Sequence, residues 1–348
     1  MNSLTFPSPL KPGDDVALLT PSSPAPEDVL KKAVKSLEYI GLHPHVMKSC
    51  RSSCGYLAGT DTERAYDIQE AFSCDDIHGI FCLRGGYGAA RILPMLDFKE
   101  IKKHPKVFVG YSDITALHTA INKLCGLTTF HGPMPCDDYE SMDTFSLASL
   151  ISAVFSPGSL ISSVFSPDSF TPPNTFQSKA FTSAQLRYGK HLMHNPPGSD
   201  LISLASGCAE GILTGGNLSV LASTLGSPYE IDTNNRILFL EDINEEAYRL
   251  DRAFTALSLA GKFRDCSGII LGSFANCGSF SDSLLCYSNG TQPSVNTMTN
   301  AILDILLRCK KPILLGLCAG HEYPQLTLPL GARVSLTATD DEKNICVL

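Results

Sequence analysis

The spacing of apolar and polar positions divides the first half of the chain into alternating strands and helices. Short apolar runs in "DVALLTP", "IHGIFCLRGG" and "KVFVG" predict buried strands, whereas "APEDVLKKAVKSLEYIGL" and "DTERAYDIQEAFSC" repeat apolar residues at helical spacing. Strands that alternate with helices of this length predict an α/β fold with a mostly parallel sheet flanked by helices. In such sheets ligands bind at the carboxyl ends of the strands, where "RGGYG" and "GYSD" lie.

The second half combines strand-like and helical runs again. "ILFLED" and "GIILGSF" predict strands, 247–259 has the periodicity of a helix, and "LTLPLGARVSL" predicts a closing hairpin or ribbon. Residues 166–205 are rich in Ser, Pro, Asn and His, which predicts a linker. We therefore expect an N-terminal α/β domain over 1–165 and a C-terminal α/β domain with β-ribbon elements over 206–348.

A tandem duplication precedes the predicted linker. The decapeptide "SLISAVFSPG" at 149–158 is followed at once by "SLISSVFSPD" at 159–168. Two copies are too few for a solenoid, which needs at least three stacked units. We interpret the repeat as a local duplication that lengthens a helical hairpin or a loop.

Composition narrows the classes of function. Hydrophobic residues make up 43% of the 348 residues, which is enough for a real core, and the net charge of -8 argues against a nucleic-acid or anionic-membrane surface. No basic segment followed by a long apolar run begins the chain, so we expect a soluble, cytoplasmic protein with a small-molecule partner. The 13 cysteines are scattered, and the closest pair, Cys50 and Cys54, lacks zinc-site partners, so we assign no metal.

Ser112 lies where the strand "KVFVG" passes into the helical pattern "SDITALHTAINKL". A serine at such a junction is either an N-cap residue, whose oxygen accepts a hydrogen bond from the helix backbone, or a nucleophile displayed at the end of a sheet. The G-x-S-x-G motif of the α/β hydrolases is absent because Ile114 occupies the position of its second glycine, which disfavours that fold.

An activated serine needs a base and a carboxylate that orients the base. Of the nine histidines, His321 follows an apolar strand and a glycine, and His131 lies at a predicted strand end, so both are candidates. Glu241 and Asp242 end the apolar strand "ILFL", and either could cap the next helix or belong to a site. The residues alone leave these choices open.

The glycine-rich stretch "LRGGYGAAR" could supply backbone donors. Its N–H groups can approach a ligand closely, either to bind a phosphate or to stabilise an oxyanion. Its spacing fits neither the P-loop nor the dinucleotide fingerprint, so nucleotide binding is the weaker interpretation.

Taken together, the motifs resemble those of a known family. "GYLAGTDTERAYDIQEAF", "IFCLRGGYGAARILPMLDF", "KVFVGYSDITALH", "TFHGP", "GILTGGNLSVL", "ILFLEDINEEAYRLDR" and "GHEYPQLTLPLG" occur in the order found in the LD-carboxypeptidases. This family of serine peptidases also contains the microcin C immunity peptidases. The resemblance runs from about Asp14 to Leu336, and it is closer to the muramoyltetrapeptide carboxypeptidases.

The resemblance implies roles for particular residues. Ser112 would be the nucleophile, His321 the general base and Glu241 the carboxylate that orients it. The backbone N–H groups of Asp113 and Gly86 would bind the oxyanion. The active site would lie at the interface of the two domains, and family members are commonly cytosolic homodimers without a metal or cofactor.

The resemblance also implies the substrate, a peptidoglycan tetrapeptide from which terminal D-alanine is released during cell-wall recycling. Arg84 and Arg249 are candidates to bind its free carboxylate. The resemblance leaves open whether the third residue of the peptide is diaminopimelate or lysine.

Some features depart from the family pattern and keep an alternative open. The lengthened segment 137–203 also marks the immunity peptidases, which cleave a peptidyl- or aminoacyl-nucleotide amide, yet the chain has no Trp to stack on a base. Tyr323 and Gln325 replace the residues usual in the "GHEYPQ" motif. No nucleic-acid or membrane partner is expected.

Overall fold

The computed structural model describes residues 5–155, 191–193, 195–196, 199–278 and 298–348. The chain forms two compact units, one of residues 1–191 with 326–331 and the other of residues 192–325 with 332–348. Each unit has its own sheet. The mixed α/β architecture with a parallel sheet in the first unit confirms the predicted fold class.

In the part of the chain that the structure describes, the first unit has a six-stranded sheet with the order β12-β5-β4-β3-β1-β2. All neighbours are parallel except β12, which runs antiparallel to β5. The strands are β1 (Asp15–Leu19), β2 (His43–Val46), β3 (Gly79–Cys82), β4 (Val107–Gly110), β5 (Thr129–His131) and β12 (Leu328–Leu330). The central strands β3 and β4 are buried throughout, as expected for a parallel sheet covered on both faces.

The helices of the first unit connect these strands. They are α1 (Glu27–Tyr39), α2 (Asp61–Ser73), α3 (Ala89–Ile92), α4 (Phe98–Lys103), α5 (Thr115–Cys125) and α6 (Thr144–Phe155). Helix α2 begins with a capping box, in which the Thr60 hydroxyl accepts from the Glu63 N–H and the Glu63 carboxylate accepts from the Thr60 N–H. Helix α1 ends before Gly41, whose φ of 84° suits the glycine expected at a helix end.

The second unit has an eight-stranded sheet among the described residues, with the order β6-β14-β13-β8-β9-β10-β11-β7. Its middle strands β8 to β11 are parallel, and β7, β13 and β14 pair in antiparallel fashion. The strands are β6 (His191–Met193), β7 (Ile202–Ala205), β8 (Gly207–Asn217), β9 (Arg236–Ile243), β10 (Gly268–Ala275), β11 (Ile313–Leu315), β13 (Arg333–Ala338) and β14 (Lys343–Val347).

Helices pack against one face of this second sheet. They are α7 (Leu218–Ser223), α8 (Ala247–Leu259), α9 (Lys262–Asp265) and α10 (Met298–Leu307). Leu240 and Leu271 from the strands belong to one continuous core with Phe254 and Leu257 of α8. The predicted helix at 247–259 and the strands at "ILFLED" and "GIILGSF" are confirmed.

The predicted hairpin at "LTLPLGARVSL" is wrong. Its two strands, β12 and β13, do not pair with each other: β12 pairs with β5 in the first sheet, and β13 pairs with β8 and β14 in the second. Gly331, with a φ of 105°, stands between them, and a Cβ at this position would lie 3.1 Å from the Thr128 Cα. The antiparallel ribbon is instead formed by β13 and β14.

The region between the predicted domains is described only in part. Residues 166–190 of the predicted linker and the second copy of the duplication lie outside the described residues, while the first copy contributes to α6. The last residues of the predicted linker, Ile202–Ala205, form β7 and pair with β11. The described residues contain no helix that is both long and apolar enough to cross a membrane.

Candidate active site

Ser112 opens a single turn of 3-10 helix, Ser112–Ile114, between β4 and α5. Its φ of 64° is left-handed, which costs a residue other than glycine about 1 kcal/mol, and strained residues of this kind cluster at functional sites. The N-cap residues here are Tyr111 and Ile114, and neither helix start has a side-chain cap hydrogen bond within the described chain. The interpretation of Ser112 as a helix cap is therefore wrong.

The sharp turn at Ser112 is built by its neighbours. Gly110 has to be a glycine, because a Cβ there would lie 2.9 Å from Cγ2 of Ile114. The His118 Nε2 lies 2.9 Å from the Gly110 carbonyl oxygen and must carry the proton that it donates. Burial lowers the pKa of His118 to about 4, so its ring is neutral at physiological pH. The backbone at this turn is thus strained, as in the G-x-S-x-G turn of the α/β hydrolases, although Ile114 occupies the position of the second glycine of that motif.

The loop that follows β3 lies against Ser112. A Cβ on Gly85 would come within 2.9 Å of the Ser112 Cβ and 3.0 Å of its Oγ, so only a glycine allows this approach. The Gly85 carbonyl accepts a hydrogen bond from the Ser23 N–H at 3.4 Å. Because a trans peptide points its C=O and N–H in opposite directions, the N–H of Gly86 faces away from Ser23.

We expect Gly85→Ala to lower kcat by about 100-fold, because the added methyl group would displace Ser112 by a fraction of an ångström or more. Gly126→Ala is the matched control, because a Cβ there meets no atom within 4 Å. Its φ of 66° adds strain, so this control is expected to lower the melting temperature and leave kcat unchanged. Steady-state kinetics and thermal unfolding of both variants test this, and an unaltered kcat for Gly85→Ala would contradict it.

Asp113 connects the turn to two other loops. Its buried Oδ2 accepts hydrogen bonds from the Ser22 hydroxyl at 2.6 Å and from the Ala89 N–H at 2.8 Å. Burial raises the pKa of this carboxyl, and the two hydrogen bonds oppose that effect. The carboxylate therefore holds the loop after β1 and the loop after β3 beside the residue whose backbone N–H was expected to bind the oxyanion.

In the second unit, Glu241 and His321 are paired. The Glu241 Oε2 lies 2.7 Å from the His321 Nδ1, and the carboxylate is completely buried. Burial raises the pKa of Glu241, whereas the hydrogen bond with His321 lowers it. Gly320, with a φ of 129°, lets the two approach, because a Cβ there would lie 3.0 Å from Oε2. The backbone N–H of His321 donates to the Ser273 Oγ at 3.1 Å.

The neighbouring carboxylate of Asp242 has the structural role. Its Oδ2 accepts hydrogen bonds from the N–H and the hydroxyl of Ser219, at 3.0 and 2.7 Å, in the first turn of α7. Its Oδ1 accepts from the Asn217 Nδ2 at 2.9 Å. Strand-end position alone had left both carboxylates as candidates; in this unit Asp242 binds the start of α7, and Glu241, the residue that the resemblance implied, contacts the histidine.

The remaining candidates make local contacts. His131 is buried in β5, and its ring centroid lies 6.0 Å from that of Tyr111. Arg84 donates to the Pro24 carbonyl at 3.3 Å, and the exposed Arg249 contacts the hydroxyl of Tyr248 on its own helix at 3.2 Å. Their binding roles stay predictions.

Ser22 and Ser23 were not predicted as site residues from the sequence. Ser22 donates to the Asp113 carboxylate, and the Ser23 Oγ accepts from the Tyr87 N–H at 3.1 Å. The signal was present, because "TPSSP" follows β1 and the strand-end rule that selected "RGGYG" and "GYSD" applies to it equally. Within the described residues, no three or more His, Cys, Asp or Glu side chains are grouped so that they could hold a metal ion.

Two family models match the chain. Residues 16–132 match the LD-carboxypeptidase N-terminal domain, and residues 210–336 match the LD-carboxypeptidase C-terminal domain. The chain therefore belongs to the LD-carboxypeptidase family and is a serine-type carboxypeptidase by class.

Individual relatives agree with this family. The chain is 36% identical over 334 residues to "Probable murein peptide carboxypeptidase" of Bacillus subtilis (strain 168), covering 96% of this chain and 92% of the relative. The solved muramoyltetrapeptide carboxypeptidase from Oxalobacter formigenes aligns with a TM-score of 0.72 at 27% identity, over 96% of this chain and 98% of that one. The microcin C7 self-immunity protein MccF, solved with aspartyl sulfamoyl adenosine, aligns with a TM-score of 0.77 at 25% identity, over 99% and 98%.

Proposed function

We propose that this protein is a serine carboxypeptidase that releases the terminal D-alanine from peptidoglycan tetrapeptides in cell-wall recycling. The observation that carries the proposal is the 2.7 Å contact between the buried Glu241 carboxylate and the His321 Nδ1. A histidine oriented in this way by a carboxylate is the base that a serine nucleophile requires. The strained Ser112 in the first unit is the serine that we assign to it.

The proposed reaction begins at Ser112. Its Oγ attacks the carbonyl carbon of the third residue while its proton passes to the Nε2 of His321, and Glu241 stabilises the imidazolium formed. The C–N bond then breaks, and the imidazolium protonates the nitrogen of the departing D-alanine. Water attacks the resulting ester, returns a proton to Ser112 by way of His321 and releases the shortened peptide.

The oxyanion of the tetrahedral intermediate needs backbone donors. We assign this role to the N–H groups of Asp113 and Gly86. The close approach of Gly85 to Ser112 supports Gly86 as one of the donors. The N–H of Gly86 lies in the same peptide unit as the Gly85 carbonyl, which accepts from Ser23, so this N–H faces away from Ser23. Arg84, beside this loop, is proposed to attract the terminal carboxylate of the substrate, and Arg249 is the weaker candidate because it lies on an exposed helix.

The murein-directed names of the relatives support the peptidoglycan substrate. The alternative substrate is an acylated nucleotide of the microcin type, supported by the likeness of the chain to the protein solved with aspartyl sulfamoyl adenosine. The chemistry at Ser112 would be the same in both cases. We also retain the proposals that the protein is cytoplasmic and forms a homodimer.

The direct test is incubation with a defined L-Ala-D-Glu-diaminopimelate-D-Ala muropeptide, with free D-alanine followed by mass spectrometry. Release by the wild type is the expected result. Competition against a lysine-containing tetrapeptide would determine the third-residue preference, and competition against an aminoacyl sulfamoyl adenosine would separate the two substrate classes. A folded wild type that releases no D-alanine would contradict the proposed substrate.

The proposed base predicts a pH dependence. A protonated imidazole cannot accept the Ser112 proton, so kcat/KM is expected to fall, by up to about tenfold per pH unit, as the pH is lowered and His321 becomes protonated. His118 does not produce this fall, because its pKa of about 4 keeps it neutral throughout. A pH profile of kcat/KM from pH 5 to 8 tests the prediction, and a flat profile would exclude a histidine base.

A further inference from the structure

Arg64, on α2, is the largest completely buried charged side chain among the described residues. Its Nη1 donates to the Gly88 carbonyl at 2.9 Å and also to the Pro21 carbonyl, and its Nη2 pairs with the Asp61 carboxylate. Burial lowers the pKa of the guanidinium, and Asp61 opposes that effect. A buried charge is costly unless it is paired and hydrogen-bonded, so this arginine needs a structural or functional reason.

The two carbonyls belong to the loops that surround Ser112. Pro21 lies in the loop after β1, and the next residue of this loop, Ser22, donates to the Asp113 carboxylate. Gly88 ends the loop after β3, and the N–H of the following residue, Ala89, donates to the same carboxylate. Arg64 therefore binds carbonyl groups of the same two loops whose hydroxyl and N–H groups are bound by Asp113.

The geometry at Gly88 depends on the arginine. Its φ of 125° is open only to glycine, and a Cβ there would lie 2.9 Å from the Arg64 Nη1. The guanidinium is a rigid planar fork, so the carbonyl that it binds is held at a fixed position. Gly88 is three residues after Gly85, and a shift of the loop at Gly88 would move Gly85 and Gly86 relative to Ser112.

We propose that Arg64 is a positioning residue for the reaction, which holds the Gly88 carbonyl so that Gly85 and Gly86 lie correctly against Ser112. It touches neither Ser112 nor any group proposed to react. The inference rests on the proposed function, because the loop matters for rate only if it supplies a donor to the oxyanion.

The same unit offers a matched control. Lys106 is also a buried cation that donates to two backbone carbonyls, of Ala71 at 3.0 Å and of Cys74, but these lie at the C-terminal end of α2. Lys106, which directly precedes β4, therefore makes Lys106→Met a measure of the cost of losing a buried cation bound to the end of the same helix, without removing a contact to the loops beside Ser112. Arg91→Gln is a second control, because Arg91 binds the same Asp61 at the surface, at 2.7 Å.

The experiment compares Arg64→Met and Arg64→Lys with both controls. Two readouts are used: D-alanine release, analysed as kcat and KM, and the second-order rate of labelling by a fluorophosphonate, which reacts with activated serines. We expect Arg64→Met to lower kcat and the labelling rate by about 100-fold with KM within about threefold. Arg64→Lys, which keeps the charge but loses the fork, should recover part of both rates. Lys106→Met should lower the melting temperature with kcat within twofold, and Arg91→Gln should change neither.

The outcomes separate the inference from the proposed function. A reactive wild type together with a folded Arg64→Met of equal kcat and labelling rate would overturn the inference alone. If Arg64→Met does not fold, Arg64→Lys decides: a loss of at least fivefold in both rates supports the inference, and wild-type rates overturn it. If the wild type is labelled by the fluorophosphonate but releases no D-alanine, only the proposed substrate is contradicted, because the labelling rates still allow the variants to be compared. A wild type inert in both assays overturns both ideas, because no reactive serine would exist to be positioned.

Discussion

Replacing Ser112 by alanine is expected to lower kcat for D-alanine release by about 10⁴-fold or more, because removal of a serine nucleophile leaves only the binding and oxyanion contributions. Ser112 begins the 3-10 turn after β4, its own backbone is left-handed with a φ of 64°, and it lies directly against Gly85. The measurement is steady-state release of D-alanine by mass spectrometry from wild type and variant of equal purity.

A second variant separates chemistry from folding. Ser112→Gly removes the hydroxyl as well as the backbone strain, so it should be equally inactive while raising the free energy of unfolding by about 1 kcal/mol. Ser112→Ala retains the strain and should unfold like the wild type. Denaturant unfolding of both variants provides the comparison, and wild-type turnover in either one would exclude Ser112 as the nucleophile.

Replacing Glu241 by glutamine is expected to lower kcat by about 10⁴-fold with little change in KM. The carboxylate holds the His321 Nδ1 at 2.7 Å in a fully buried position. An amide of the same shape cannot stabilise the imidazolium and can select the wrong tautomer. Steady-state kinetics on the muropeptide measures the effect.

Asp242→Asn is the matched control for this prediction. Asp242 is the next residue of the same strand, but its carboxylate accepts from Ser219 at the start of α7. Its amide variant should therefore lower the free energy of unfolding by about 1 kcal/mol, as lost caps do, with kcat within a few-fold of the wild type. Equal losses of kcat in the two variants would mean that Glu241 acts only through folding.

Much of the fold could be predicted because it depends on local patterns. Buried parallel strands are apolar along their length and amphipathic helices repeat every 3.6 residues, so β1, β3, β4, α1 and α2 were visible in the sequence. The pairing of "LTLPLGARVSL" was predicted wrongly because local sequence does not report which sheet a strand joins. Two strands separated only by Gly331 and Ala332 have the pattern of a hairpin even though they enter different sheets.

The site was predictable in its residue types and less so in its geometry. Ser112, Glu241 and His321 were selected by strand-end position and family resemblance, and the pairing of Glu241 with His321 is seen in the second unit. Strand-end position alone did not separate Glu241 from Asp242, which are adjacent residues that point to opposite faces of a strand; the resemblance selected Glu241, and the structure shows its contact with His321. Arg64 could not be foreseen, since a helix arginine is usually exposed and its burial depends on two loops distant in sequence.

The sequence alone determined the α/β class, the candidate nucleophile and the family, because periodicity, glycine positions and ordered motifs are properties of the chain itself. The tertiary structure decided which carboxylate contacts His321, that Ser112 is strained rather than capping a helix, and that Arg64 and Asp113 hold the loops beside it. These features depend on distances between segments far apart in the chain and on the removal of charged groups from water, and neither is encoded in local sequence.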